Sequence, residues 1–208
     1  MENTELREFM RGVHNYVRAG GVNVYEGGAS LAEASYLRDL ARSAGVTLIA
    51  EIGFNVGFSA LAFLASSPQA RVVSFELDPR RSVTLAKEFV DRCHPGRHEL
   101  IVGSSLDTVP DFAETRPERF DLVFVDGGHD YRVAATDIRN AVRIARPRAV
   151  VVMDDLTPWL AWGVGPAKAW YEAVDDGLIE PFEYFVDGQR VDEVEGPGDR
   201  AWAAGRFA

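Results

Sequence analysis

Cysteine, long apolar runs and positive charge are all scarce in this chain, and each shortage removes a class of protein. One cysteine, Cys93, stands among 208 residues. No intrachain disulfide can form, and a reducing compartment is expected. The longest apolar runs, Ala60–Ala65 and Ala149–Met153, fall far short of the roughly 20 residues a membrane span needs. The stretch from Met1 to Met10 is polar and charged, with no basic segment leading into an apolar one, so no signal peptide is expected. These readings point to a cytoplasmic protein without a membrane partner. Lysine and arginine number 22 against 32 acids, a formal charge of −10. Nucleic-acid binders draw most of their affinity from phosphate neutralisation by a basic face, so nucleic acid is not the expected partner. The G-x-G-x-x-G dinucleotide fingerprint is also missing, which disfavours a nicotinamide or flavin oxidoreductase.

What is present is an alternation of short apolar runs and helical stretches. Residues 48–52, 71–76, 99–102, 120–126 and 149–154 read as strands rich in Val, Ile, Leu and Phe. Helices are expected over 59–65, about 80–91, and 131–144. Continuous apolar strands separated by helices argue for a parallel sheet covered on both faces. The tail differs. A helix is expected over 165–176, then strands over 179–186 and 200–207, joined by a segment rich in turn residues (Asp187-Gly188, Gly196-Pro197-Gly198). Two strands joined without a crossover helix pair antiparallel. The expected fold class is therefore α/β, a Rossmann-like three-layer sandwich whose mostly parallel seven-stranded sheet ends in an antiparallel C-terminal strand. Upstream, Leu31, Ala34, Leu37 and Leu40 have helical spacing, and Ser30 with Glu33 forms a capping box. Residues 1–30, with Tyr16, Val22, Val24 and Tyr25 among Gly20, Gly21, Gly27 and Gly28, are assigned to a short helix and a lid, ahead of a catalytic domain over 31–208.

Between the first strand and its helix lies Glu51-Ile52-Gly53-Phe54-Asn55-Val56-Gly57-Phe58-Ser59. Glycines there permit a tight turn and close approach of backbone to a ligand, and ligands in open parallel sheets bind beyond the C-terminal strand ends. Glu76 ends the next strand, where a carboxylate can accept hydrogen bonds from ribose hydroxyls of an adenosine cofactor. Asp126 closes the fourth strand, and Asp154 with Asp155 closes the fifth. Adjacent strands lie about 4.8 Å apart, so these three carboxylates can converge. Like charges at one point repel unless protonated or neutralised by a cation. Hard oxygen ligands favour Mg²⁺, with Mn²⁺ and Ca²⁺ as alternatives. His129, three residues beyond Asp126, titrates near neutrality and can accept a hydroxyl proton. Trp159 and Trp162 follow the fifth strand, where aromatics can wall a small-molecule site; cover of the core or a homodimer contact is the competing use.

Glu51-Ile-Gly-Phe-Asn-Val-Gly-Phe-Ser-Ala60 resembles the E-x-G-x-x-x-G-x-S-A motif of the catechol O-methyltransferase-like superfamily. It also resembles the methyltransferases that modify sugars and macrolides in antibiotic biosynthesis, with the likeness running from about Ala29 to Asp155. The resemblance implies a class I fold and S-adenosyl-L-methionine as cofactor. It implies that Glu51, Gly53, Asn55, Gly57 and Ser59 face the methionine end of the cofactor. Glu76 would bind the ribose, Ser104 and Ser105 would lie beside the adenine, and Asp126 would border the cofactor as well as the metal. Metal-dependent members place one Asp after the fourth strand and an adjacent pair after the fifth, which Asp126, Asp154 and Asp155 match. The chain departs in carrying Asp154-Asp155 where the catechol enzymes have Asp-Asn, and in placing His129 where they have a catalytic lysine. The leading expectation is Mg²⁺-dependent O-methylation of a small hydroxylated acceptor such as a sugar, polyketide or catechol. The alternatives are a metal-free methyltransferase with His129 as base, and a cofactor-binding protein without turnover.

Overall fold

A computed structural model of the chain describes residues 3–23 and 28–208. The chain forms two compact units, residues 1–103 and 104–208. The first contains α1 (Asn3–Ala19), α2 (Leu31–Ser43), β1 (Leu48–Ile52), α3 (Phe58–Ser66), β2 (Arg71–Glu76), α4 (Arg81–Cys93) and β3 (His98–Val102). Its strands run parallel in the order β3-β2-β1, with Glu51 opposite Ser74 and Glu76 opposite Val102. Ile49, Ala50, Glu51 and Ile52 are all buried, as strands covered on both faces must be. Every residue of α3 from Ser59 to Ser66 is buried too, the pattern of an interior helix rather than an amphipathic one. The Ser30–Glu33 capping box forms as expected, each side chain taking the other's backbone N–H.

The N-terminal helix is longer than the sequence reading expected, 17 residues with Leu6, Val13 and Val17 buried. It packs against α4: a side chain at Gly12 would meet the Phe89 ring and one at Gly20 would meet Leu85. The Tyr16 and Phe89 rings also lie 5.8 Å apart, and the Arg92 guanidinium sits over Tyr16. The lid expectation concerns the residues that follow, of which Val24, Tyr25 and Gly27 lie outside the described residues.

The second unit contains α5 (Ser105–Thr115), β4 (Phe120–Val125), α6 (Tyr131–Ile144), β5 (Ala145–Met153), α7 (Val164–Asp175), β6 (Ile179–Val186), β7 (Gln189–Val191) and β8 (Ala201–Phe207). β4 and β5 are parallel, and the order continues β5-β8-β6-β7 with antiparallel pairings throughout. The mostly parallel sheet with antiparallel C-terminal strands is thus present, with eight strands among the described residues rather than seven. The additional strand, β7, is three polar or half-exposed residues paired with the end of β6. Asp187 and Gly188 join the two strands with φ of 48° and 79°, the positive pair that a two-residue hairpin turn demands. α5 escaped the sequence reading because Pro110 lies inside it, and proline removes an N–H donor from a helix interior. β5 starts at Ala145, ahead of the expected Ala149. Among the described residues no helix is long and apolar enough to cross a membrane.

Gly57 connects this architecture to the site. It caps α3 at φ 73°, in the left-handed region, and a Cβ there would lie 2.9 Å from the Phe54 ring and 3.3 Å from Val90. Gly57→Ala should therefore destabilise the protein by about 1–3 kcal/mol, the range for a non-glycine residue held in strained backbone. Denaturant unfolding, with the midpoint lowered and the slope unchanged, is the check. An unmoved midpoint would show that the turn relaxes without strain.

Candidate active site

The loop after β1 is organised by a single carboxylate. Gly53 (φ 99°) and Asn55 (φ 47°) turn the chain, and the Gly53 N–H donates to the Phe75 carbonyl across the β1–β2 pairing. The turn aims the next two N–H groups at Glu76. Oε2 of Glu76 accepts from Phe54 at 3.1 Å and from Asn55 at 2.8 Å, while Oε1 accepts from Asp78 at 3.2 Å. Glu76 is thus a clamp on the loop as well as a candidate ribose ligand. A carboxylate offers about four acceptor positions, so three backbone donors leave room for one further hydroxyl.

Glu51 faces the interior. It is fully buried and accepts a very short hydrogen bond from the Ser74 hydroxyl, which also contacts Nε2 of His98 at 2.9 Å. Burial pushes the Glu51 carboxyl up to about 7, opposed by the Ser59 and Ser74 hydroxyls and reinforced by the charge of Glu76. Burial likewise lowers His98 to about 3. Ser59 is buried in the first turn of α3.

In the second unit the last rung of the β4–β5 pairing sets Val125 opposite Met153, and the Asp154 N–H donates to the Val125 carbonyl at 3.1 Å. The residues that follow, Asp126 on one strand and Asp154-Asp155 on the other, therefore emerge side by side. One oxygen from each lies within 4.8 Å of the others. Asp155 holds φ 60°, in the left-handed region that aspartate enters more readily than most non-glycine residues. His129 reaches the same place: its Nε2 lies 2.8 Å from Oδ2 of Asp155. That contact raises the His129 pKa, against an opposing effect of burial. The loop carrying His129 is fixed at its far end by Asp130, whose side chain caps α6 through the Arg132 N–H. It is fixed from above by Gly165, where a Cβ would lie 2.2 Å from the His129 carbonyl oxygen.

The structure brings together most of the residues the sequence singled out. Gly53, Asn55, Gly57 and Glu76 form one loop system with Glu51 and Ser59 beneath it. Asp126, His129, Asp154 and Asp155 line one cleft. Ser104 uses its hydroxyl to cap α5 through the Leu106 N–H, and Ser105 opens that helix. Trp159 is partly buried, and its indole N–H donates to the Gly198 carbonyl at 2.7 Å while its ring packs under Gly196. It therefore braces the loop before β8. Trp162 is exposed. Sequence reasoning missed Asp137, which lines the same cleft from α6. The signal was available, since an acid interrupts the apolar stripe of Ala134, Ile138 and Ala141.

Parallel strands with carboxylates at their C-terminal ends, and a glycine turn clamped by an acid, are features of α/β folds that bind ligands beyond their strand ends. The chain belongs to the methyltransferase domain family, whose profile matches residues 50–156. It is 35% identical over 129 residues to a catechol O-methyltransferase of Mycobacterium tuberculosis, covering 61% of this chain and 56% of that protein. It is 30% identical over 129 residues to the O-methyltransferase imqG of Aspergillus flavus, covering 60% and 51%. The chain thus spans about half the length of the curated relatives it matches. Among solved structures it is similar to an O-methyltransferase from Bacillus cereus in complex with SAH, with a TM-score of 0.76 at 18% identity, over 96% of this chain and 90% of that one. That likeness establishes the class I Rossmann-like fold.

The Asp155–His129 contact gives a direct test of the cleft's electrostatics. A carboxylate accepting from the imidazole stabilises the charged ring and raises its pKa, so Asp155→Asn should lower it. NMR titration of the His129 ring in metal-free protein should show the shift, whereas an unchanged midpoint would mean that the pair does not form in solution.

Proposed function

We propose that this chain is an S-adenosylmethionine-dependent O-methyltransferase that acts on a small hydroxylated acceptor with the help of a divalent cation. The observation that carries the metal is the convergence of Asp126, Asp154 and Asp155 within 4.8 Å. Three hard oxygen donors at that spacing fit Mg²⁺ or Mn²⁺ and do not suit zinc. A cation bound there would make an acceptor hydroxyl more acidic. S-adenosylmethionine would supply the methyl group as an activated sulfonium, held by the Gly53–Gly57 turn and Glu76.

The chain's own residues do the rest. Asp155 takes the Nε2–H of His129, which selects one tautomer and leaves Nδ1 as the ring's acceptor for the hydroxyl proton. The imidazolium that results is stabilised by the same Asp155 carboxylate. Asp155 would also offer a carboxylate oxygen to a cation. The direct His129–Asp155 contact also favours a second reading, in which the imidazole–carboxylate pair acts as a base without any metal. Trp162, exposed in the segment between β5 and α7, is proposed to meet the acceptor.

Chelation separates the two. Enzyme stripped with EDTA, and shown by elemental analysis to be metal-free, should lose methylation of catechols and glycosides and regain it with Mg²⁺. Full turnover of the stripped enzyme would sink the metal reading and leave His129 as sole activator. His129→Ala should lower kcat by about 10²–10⁴-fold, the usual contribution of a general base, with S-adenosylmethionine affinity intact. The cofactor assignment has its own measurement. Glu76→Ala removes charge-assisted hydrogen bonds of roughly 1.5–3 kcal/mol each, so calorimetry should record at least a tenfold weaker affinity for S-adenosylmethionine. An unchanged affinity would remove Glu76 from the cofactor site.

A further inference from the structure

Asp137 is a buried acid that the proposed chemistry does not use. It sits on the inward face of α6 among Ala134, Ile138 and Ala141, and it is fully buried. Neither of its carboxylate oxygens has a hydrogen-bond partner. Burial pushes its pKa up to about 6, and the nearby Ser105 hydroxyl favours the charged form without satisfying either oxygen. A buried carboxyl without partners is costly, and folds that retain one give it water or an ion. Asp137 has somewhere to find them, because it lines the same cleft as Asp126, His129, Asp154 and Asp155. Yet it stands outside the trio whose oxygens converge within 4.8 Å.

We propose that Asp137 is an outer carboxylate of the cation site, a positioning residue that accepts hydrogen bonds from the waters a divalent cation carries at Asp126, Asp154 and Asp155. Mg²⁺ and Mn²⁺ retain several waters when bound by few carboxylates, and those waters need acceptors on the side away from the ligands. Such outer partners orient the inner ligands and tune affinity. The inference rests on the metal reading above and extends it to a fourth acid on a different element. It also accounts for a charged residue in the middle of an apolar helix face, which packing alone does not.

The experiment is Mn²⁺ titration followed by the electron paramagnetic resonance signal of the free ion. It uses the wild-type chain, Asp137→Asn, Asp137→Ser and Asp154→Asn, each with a melting curve taken without metal. Asp137→Asn keeps the shape and removes the charge. It should weaken Mn²⁺ binding about 10–100-fold, the usual effect of losing an outer partner, while the metal-free melting temperature does not fall. Asp154→Asn should weaken binding further. If Asp137→Asn does not fold, Asp137→Ser is held to the same standard. Wild-type Mn²⁺ affinity in the folded variant would overturn the proposal while leaving the three-carboxylate site standing, and so would a lowered metal-free melting temperature with unchanged affinity. A wild-type chain that binds no Mn²⁺ would overturn both the proposal and the metal reading beneath it.

Discussion

One rung of backbone pairing governs the candidate chemistry. Val125 stands opposite Met153, and the Asp154 N–H closes onto the Val125 carbonyl just beyond. Side chains alternate along a strand, so a slip of one residue would turn the strand's side chains to the opposite face. With the register as it stands, Asp126 leaves one strand end where Asp154 and Asp155 leave the other. Asp155, at positive φ, has its carboxylate against His129. The convergence of carboxylates proposed to hold the cation follows from that rung.

The two units solve the problem of a buried carboxylate in opposite ways. Glu76 is satisfied internally, because three backbone N–H groups converge on it. Its carboxylate in turn holds the glycine turn through the Phe54 and Asn55 N–H groups. The acids of the second unit crowd one another, with one oxygen each from Asp126, Asp154 and Asp155 within 4.8 Å of the others. Crowded carboxylates are stable only with compensating positive charge or protons. His129 offers one such charge, and a cation would offer a larger one. The loop that carries His129 ends in the Asp130 cap and packs closely against Gly165.

The candidate substrate face is less uniform than its aromatic content suggests. Trp159 and Trp162 are three residues apart, yet one is hydrogen-bonded into the loop before β8 and the other is exposed. The polar end of an indole seeks a partner when buried, and Trp159 finds it in a carbonyl 39 positions further along the chain. A brace and a free aromatic surface thus come from the same short loop.

The sequence by itself determined the strands at residues 48–52, 71–76 and 179–186, the helix at 131–144 and the Ser30–Glu33 cap. These depend on local composition, period and short-range hydrogen bonding. It also marked Glu76, Asp126, His129, Asp154 and Asp155, because strand ends in a parallel sheet are where ligands meet protein. The tertiary structure decided what local signals could not carry. It placed a helix across Pro110, added a three-residue strand to the end of β6, and lengthened α1 into a packed helix. It paired His129 with Asp155, and it brought Asp137 to the cleft from the second turn of α6. Each of these depends on which distant segment supplies the missing partner, and contact between distant segments is fixed only when the chain packs.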